Sequence, residues 1–501
     1  MSEMTREPVV RLGDGAVRGT MADGLCAFLG IPYAAAPFGE NRMLPPQPVR
    51  AWDGERDATA FGPTVPKGDY PPQYARLFPE VVIAGEECLN LNVWTPDVGA
   101  AGLPVLVWIH GGSFMNGSSS VPEYDGPAFA RDGVVFVSIN YRLAAEGFLF
   151  LGDDIVNLGL LDQLAALRWV RENISLFGGD PARVTVAGES AGAMSVTTLL
   201  SMPLAAGLFT GAIAQSGAGA HTLTVAEGFM VADFLAEALG VPRNREAIMQ
   251  VPLDKLVQAA SDLVTEVQTA PDPARWGQLA LSLLPFAPVV DGSVLPAAPV
   301  RSLAAGQGAD VRLMIGSNRD EARLFFVAPG TLGFIDDALL AGAATRYGLS
   351  ADGLRVYRDN RPSASPGDVL AAVITDWFFR VPAIRVAEAR AASQAAGGTW
   401  MYRFDYPEPV DNDGFGACHA TEVAFVFGTT GLASARPLTG DSPSSAVADL
   451  VHRVWVDFVT GGNPGWAPYD TVRRTTGLLA EDVSPVDDPD GDERALWEGI
   501  R

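Results

Sequence analysis

Cysteine is nearly absent. Cys26, Cys88 and Cys418 are the only three in 501 residues, too few and too scattered for a disulfide framework or a four-ligand zinc site. They read as reduced thiols, and no metal or other cofactor is expected. Long apolar runs are also missing: none reaches bilayer length, and the opening MSEMTREPVVRLGDG has no leader-type apolar core. The expectation is therefore a cytoplasmic protein without membrane contact. Positive charge is in short supply, with 35 Lys and Arg against 59 Asp and Glu and a net charge of −24. Such a balance repels phosphate and argues against nucleic acid and anionic lipid as partners, but it says nothing against a neutral small molecule. Histidine is scarcer still, with four residues, so any chemistry that needs an imidazole has few candidates. The sequence fixes no oligomeric state, and a monomer is the default expectation.

What is abundant is buried-type sequence. Hydrophobic residues make up 48% of the chain and no linker-like composition interrupts them, so one unit over 1–501 is expected. PLTGDSPSSAVAD reads as a surface loop, and no internal repeat is found. Short Val/Ile/Leu-rich runs without in-out alternation, LPVLVWIHGG, GVVFVSINYR, RVTVAGES, GAIAQSG, VRLMIGSN and TWMYRFDY, read as parallel strands covered on both faces. Between them NLGLLDQLAALRWVRENISLF places Leu160, Leu161, Leu164, Leu167 and Val170 on one helical face. The alternation predicts an α/β fold around a large, mostly parallel sheet. Residues 8–60 read as hairpins forming an antiparallel amino-terminal edge of that sheet. Residues 222–285 and 330–395 are expected to be helical insertions that shape a pocket.

GESAG, residues 188–192, ends one of these strands and opens a helix. A serine there caps a helix more often than it attacks a substrate. Yet the strand–G-x-S-x-G–helix context is that of a nucleophile elbow, with small neighbours at Gly188 and Gly192. A serine nucleophile needs a base, and the base an orienting acid. His110 lies in a glycine turn, and His452 has helical surroundings. His221 follows the GAIAQSG strand too closely for the order nucleophile, acid, histidine. His419, after the last strong strand, is the best base. The acid is Asp320 or Glu321, between which position in the loop does not choose. Oxyanion donors would be the N–H groups of Ala191 and of the turn at Gly111 and Gly112.

With these residues in place the chain resembles the type-B carboxylesterases of the α/β-hydrolase superfamily, which include cholinesterases and bacterial para-nitrobenzyl esterases. The similarity rests on FGGDPARVTVAGESAG, EECLNLNVWTP, FLGIPYAAAP, NYRLAAEGF, FAPVVDGSVLP, IGSNRDEARLF and GACHATEVAFVFG, in order from near residue 10 to near 475. Glu87 and Asn90 depart from the usual residues of the second stretch. The resemblance implies an α/β-hydrolase fold, Glu321 as the triad acid, and His419 as base. It also implies the oxyanion hole at Gly111, Gly112 and Ala191, and Ser216 as a residue orienting the acid. Phe114 and Met115 follow the oxyanion turn, and Trp377, Phe378 and Phe379 match a region that lines the acyl side of the pocket. The family cysteine at position 88 pairs in secreted animal members, but nothing near residues 60–70 can pair with it here. Two structural ion pairs are also implied, Arg42 with Glu86 and Arg142 with Asp180.

The function expected is hydrolysis of uncharged small to medium carboxylic esters through an acyl-enzyme. The alternatives are a carbamate or amide hydrolase using the same residues and, more remotely, a non-catalytic cholinesterase-like binding protein. The filled triad positions argue against the latter.

Overall fold

The computed structural model describes residues 7–406 and 412–501; the first six residues of the opening read above for a leader lie outside them. The large sheet has eleven strands among the described residues. In chain order they are β1 (Thr20–Ala22), β2 (Leu25–Pro32), β3 (Asn90–Thr95), β4 (Leu103–Ile109), β5 (Val135–Ile139), β6 (Gly179–Glu189), β7 (Gly211–Gln215), β8 (Arg312–Asn318), β9 (Thr399–Phe404), β10 (Thr475–Leu479) and β11 (Val483–Asp487). Their order across the sheet is β11-β10-β9-β8-β7-β6-β4-β5-β3-β2-β1. Strands from β5 through β10 run parallel, flanked by antiparallel pairs at both ends.

The parallel strands are buried on both faces because two cores flank them. Val105, Val107 and Ile109 of β4 face one core, with Val184, Val186, Leu160, Leu164 and Leu167. Leu106 and Trp108 face the other, with Phe136, Ile213, Met314, Trp455 and Phe458. The two-residue period of the strand thus survives as a choice between two apolar environments. Helix α1 (Leu158–Asn173) buries the leucine face read from the sequence, with Leu161 only half covered.

The amino-terminal expectation holds in part. β1 and β2 form the antiparallel edge, but Ala16–Arg18 pairs with Val9–Arg11 on one side and with Glu55–Asp57 on the other in a separate three-stranded sheet. Gly19 marks the break, because a Cβ there would lie 2.3 Å from the carbonyl oxygen of Ala27. The carboxy-terminal β10–β11 hairpin was not read from the sequence.

The strands deliver their chemistry at one edge. Helix α2 (Ala191–Leu200) follows β6 after one residue. Helices α3 (Val225–Leu239) and α4 (Leu253–Thr269) lie between β7 and β8. Helices α5 (Asp337–Arg346), α6 (Ala351–Asp359), α7 (Pro366–Thr375) and α8 (Val381–Ala392), with a π-helical turn at Asp376–Arg380, lie between β8 and β9.

Both implied ion pairs need correction. Arg42 pairs with Glu146 at 2.8 Å and Arg142 with Asp162 at 2.7 Å. Glu86 is exposed, and the Asp180 carboxylate accepts the N–H of Ala182 in its own turn. The Arg142 guanidinium is buried and that of Arg42 largely so, and each takes the buried carboxylate beside it. All three cysteines are buried and unpaired, and burial pushes the Cys88 thiol up to about 12.

Candidate active site

Ser190 sits between β6 and α2 with φ 56° and ψ −123°, a left-handed backbone that a serine tolerates only where its surroundings impose it. Glycine on either side makes the turn possible. A Cβ at Gly192 would lie 2.0 Å from the carbonyl oxygen of Ile109, and one at Gly188 2.6 Å from the carbonyl carbon of Gly192. The Ser190 side chain makes no capping hydrogen bond to α2. Its Oγ lies 2.9 Å from Nε2 of His419, and His419 Nδ1 lies 2.7 Å from Oε2 of Glu321.

The three groups come from three strand ends. Glu321 follows β8 and is fully buried, its Oε1 accepting the N–H of Asn318 at 2.8 Å. The loop after β9 brings His419, whose N–H donates to the Glu321 carbonyl at 3.2 Å. Asp320 turns elsewhere and accepts from the N–H of Ala417. Ser216 follows β7 with φ 55°, and its hydroxyl has no hydrogen-bonding partner among the described residues. Asn318 and His419, rather than that hydroxyl, hold the Glu321 carboxylate.

Gly111 packs directly on the elbow: a Cβ there would come within 3.1 Å of Ser190 Cβ and 2.7 Å of Glu189 Oε2. Gly112 adopts φ 104°. The turn thus holds its backbone beside Ser190, together with the first amides of α2, which have no acceptor within the helix. His110 stacks on Tyr141, and burial pushes it down to about 3, so its ring stays neutral. His221 is likewise lowered to about 3 by burial, with Nε2 2.8 Å from the carbonyl oxygen of Phe378. His452 lies between the Val426 carbonyl and Asp132.

Two carboxylates beside the imidazole were missed in the sequence. Glu189 Oε1 lies 3.2 Å from His419 Nε2, and burial raises its carboxyl to about 8. Glu422, raised by burial to about 7, accepts from Gln215 and Asn318. Burial by itself would lower His419, but Glu189 and Glu321 outweigh it and raise the imidazole to about 9. The only sequence signal was position: Glu189 is the first of the two variable residues of the elbow and Glu422 lies three residues past His419. Most such carboxylates are solvated.

The expected pocket aromatics separate. Phe379 stands 4.8 Å from the His419 ring and Phe378 4.6 Å from Phe379. Phe325, not anticipated, lies 5.7 Å from His419 and is 40% exposed. Phe114 is fully buried against Phe148, and Met115 is buried next to it. Trp377 points away, into the core formed by α5, α6 and α7, between Tyr347 and the Arg501 guanidinium.

A serine, histidine and buried carboxylate joined at the carboxyl edge of a mixed sheet in this strand order define a protein of the α/β-hydrolase fold. The chain belongs to the carboxylesterase family, whose model matches residues 6–476, and it is a carboxylic ester hydrolase. It is 36% identical over 498 residues to the para-nitrobenzyl esterase of Bacillus subtilis, covering 96% of each chain. To the phenmedipham hydrolase of Pseudarthrobacter oxydans it is 34% identical over 473 residues, covering 92% of this chain and 91% of that one. Among solved structures, a carboxylesterase of Geobacillus stearothermophilus superposes with a TM-score of 0.85 at 37% identity, covering 98% of this chain and 99% of that one. No helix among the described residues is long and apolar enough to cross a membrane.

Proposed function

We propose that the chain, acting as one catalytic unit, hydrolyses uncharged small to medium carboxylic esters through an acyl-enzyme on Ser190. The observation that carries this reading is the hydrogen-bond chain from Ser190 Oγ through His419 to Glu321, 2.9 and 2.7 Å, anchored at a backbone bent for exposure of a nucleophile. His419 Nε2 takes the Ser190 proton as Oγ attacks the ester carbonyl. The oxyanion meets the N–H groups of Gly111, Gly112 and Ala191. The alcohol departs with the proton from His419, and water repeats the sequence to release the acid. Glu321 holds the imidazole tautomer and, with Glu189, stabilises the imidazolium.

The helical segments 222–285 and 330–395 would shape the pocket, with Phe378 and Phe379 on its acyl side. A wall this close to His419 favours short acyl chains. The test is a series of para-nitrophenyl esters of increasing acyl length, and activity is expected to peak among the short chains. A monotonic rise toward long chains would overturn the substrate reading. A second reading, carbamate or amide hydrolysis by the same groups, is favoured by the likeness to a phenmedipham hydrolase. Phenmedipham and a matched aryl carbamate belong in the same panel, and kcat/KM on them above the best ester would reverse the order of the two readings.

The pH dependence follows from the base. Only neutral His419 accepts the Ser190 proton, and its protonated form is stabilised by two carboxylates, so kcat/KM is expected to rise with pH along an acid limb above the ordinary imidazole value of 6.5. Glu189→Gln removes one of these carboxylates and is expected to move the limb to lower pH. Profiles of both proteins that coincide would contradict the role given to Glu189.

A further inference from the structure

The segment 61–88 lies over the glycine turn without a disulfide to close it, since Cys88 is unpaired. A buried polar cluster fastens it instead. The Lys67 side chain is 1% exposed, its Nζ 3.2 Å from Glu80 Oε1, and it donates to the carbonyl of Val81 at 3.1 Å. The other Glu80 oxygen accepts from Nδ2 of Asn116 at 3.0 Å, and the same Nδ2 donates to the Gly68 carbonyl at 2.7 Å. One side chain therefore touches the segment at two points twelve residues apart in sequence.

Asn116 is also part of the turn next to Ser190. Its N–H donates to the Gly112 carbonyl at 2.9 Å, and its own carbonyl oxygen would lie 2.2 Å from a Cβ at Gly112. Gly112, Ser113 and Phe114 follow one another with φ of 104°, 56° and 59°. A run of left-handed residues that includes Ser and Phe is strained and persists only where neighbours impose it. On one side the turn is held by His110, whose Nδ1 lies 2.8 Å from the Gly111 carbonyl, and by Tyr141, whose hydroxyl donates to the His110 carbonyl at 2.9 Å. On the other side it is held by Asn116.

We propose that Asn116, seated by the Lys67–Glu80 pair, is a positioning residue for the Gly111 and Gly112 amides, so that the seat of the 61–88 segment sets the rate of acyl transfer. This rests on the oxyanion role given to those amides above. Asn116 touches no substrate; it acts through the turn. The energetic logic is that a donor displaced by a fraction of an ångström loses most of its worth to an oxyanion while binding of the neutral ester barely changes. Removing Lys67 or Glu80 would also strand a buried charge, so Asn116 is the informative position.

The experiment compares wild type with Asn116→Ala and Asn116→Ser on para-nitrophenyl butyrate. kcat and KM are measured separately, and active sites are counted by labelling with diethyl para-nitrophenyl phosphate. Wild type is expected to label at Ser190, and the variants to lose about 10- to 100-fold in kcat per labelled site with KM within about threefold. Asn116→Thr, which strands no buried charge, is read in the same way if neither of these variants folds. A folded, fully labelled variant with kcat unchanged, or a loss confined to KM or to melting temperature, overturns the positioning role and leaves the triad reading standing. A wild type that hydrolyses the ester without labelling at Ser190 overturns the triad reading, and the positioning role with it.

Discussion

Ser190→Ala is expected to lower kcat on an activated ester by about a millionfold, the scale on which removing a serine nucleophile alone disables a triad. Melting should change little. The Ser190 hydroxyl is bonded to His419 and caps nothing, so its loss costs one polar contact within the site and no capping hydrogen bond. Backbone strain at φ 56° is the same for alanine as for serine, because both carry a Cβ. Residual turnover above background would reflect the proposed donors at Gly111, Gly112 and Ala191, which would still receive an oxyanion formed by water. The measurement is steady-state hydrolysis of para-nitrophenyl acetate, with thermal unfolding of the same samples. A variant retaining a tenth of the activity would remove Ser190 from the mechanism.

That motif shows where the sequence was legible. Continuous apolar runs identified the parallel strands because both faces of the sheet are covered, and four histidines left few choices for a base. Spacing could not separate Asp320 from Glu321. Neighbours in a turn point apart, and only the fold decides that Glu321 reaches His419 while Asp320 reaches the Ala417 amide. The ion pairs were illegible for a related reason. Arg142 and Asp162 are twenty residues apart and meet because the loop after β5 lies on the first turns of α1. No periodicity encodes such a meeting. Glu189 and Glu422 carried no mark of burial, since a carboxylate looks the same in a sequence whether water or an imidazole faces it. Trp377 was drawn toward the pocket by its neighbours Phe378 and Phe379, but the π-helical turn at Asp376–Arg380 sends the tryptophan to the other side.

The Arg142–Asp162 pair is where the largest stability effect is expected. The Arg142 side chain is 2% exposed and that of Asp162 0%. Two parallel contacts of 2.8 and 2.7 Å join them, a third guanidinium nitrogen donates to the Leu44 carbonyl at 2.7 Å, and the Arg142 N–H reaches Asp162 at 3.0 Å. Burial opposes the guanidinium charge, yet the carboxylate more than restores it. Arg142→Ala leaves Asp162 charged and dry, a loss of about 3–5 kcal/mol. Spread over the unfolding entropy of a chain this long, that lowers Tm by roughly 3–5 °C. Arg142→Met combined with Asp162→Leu should recover most of it, since replacing both partners removes the stranded charge. Below melting, activity should fall less than stability, because the pair reaches the site only indirectly: Ala144, two residues on, donates its N–H to the Phe114 carbonyl at 2.7 Å and so steadies the glycine turn from below. Differential scanning calorimetry of the two proteins beside wild type decides the matter. If the single variant melts at the wild-type temperature, the pair is not the anchor that its burial and geometry make it.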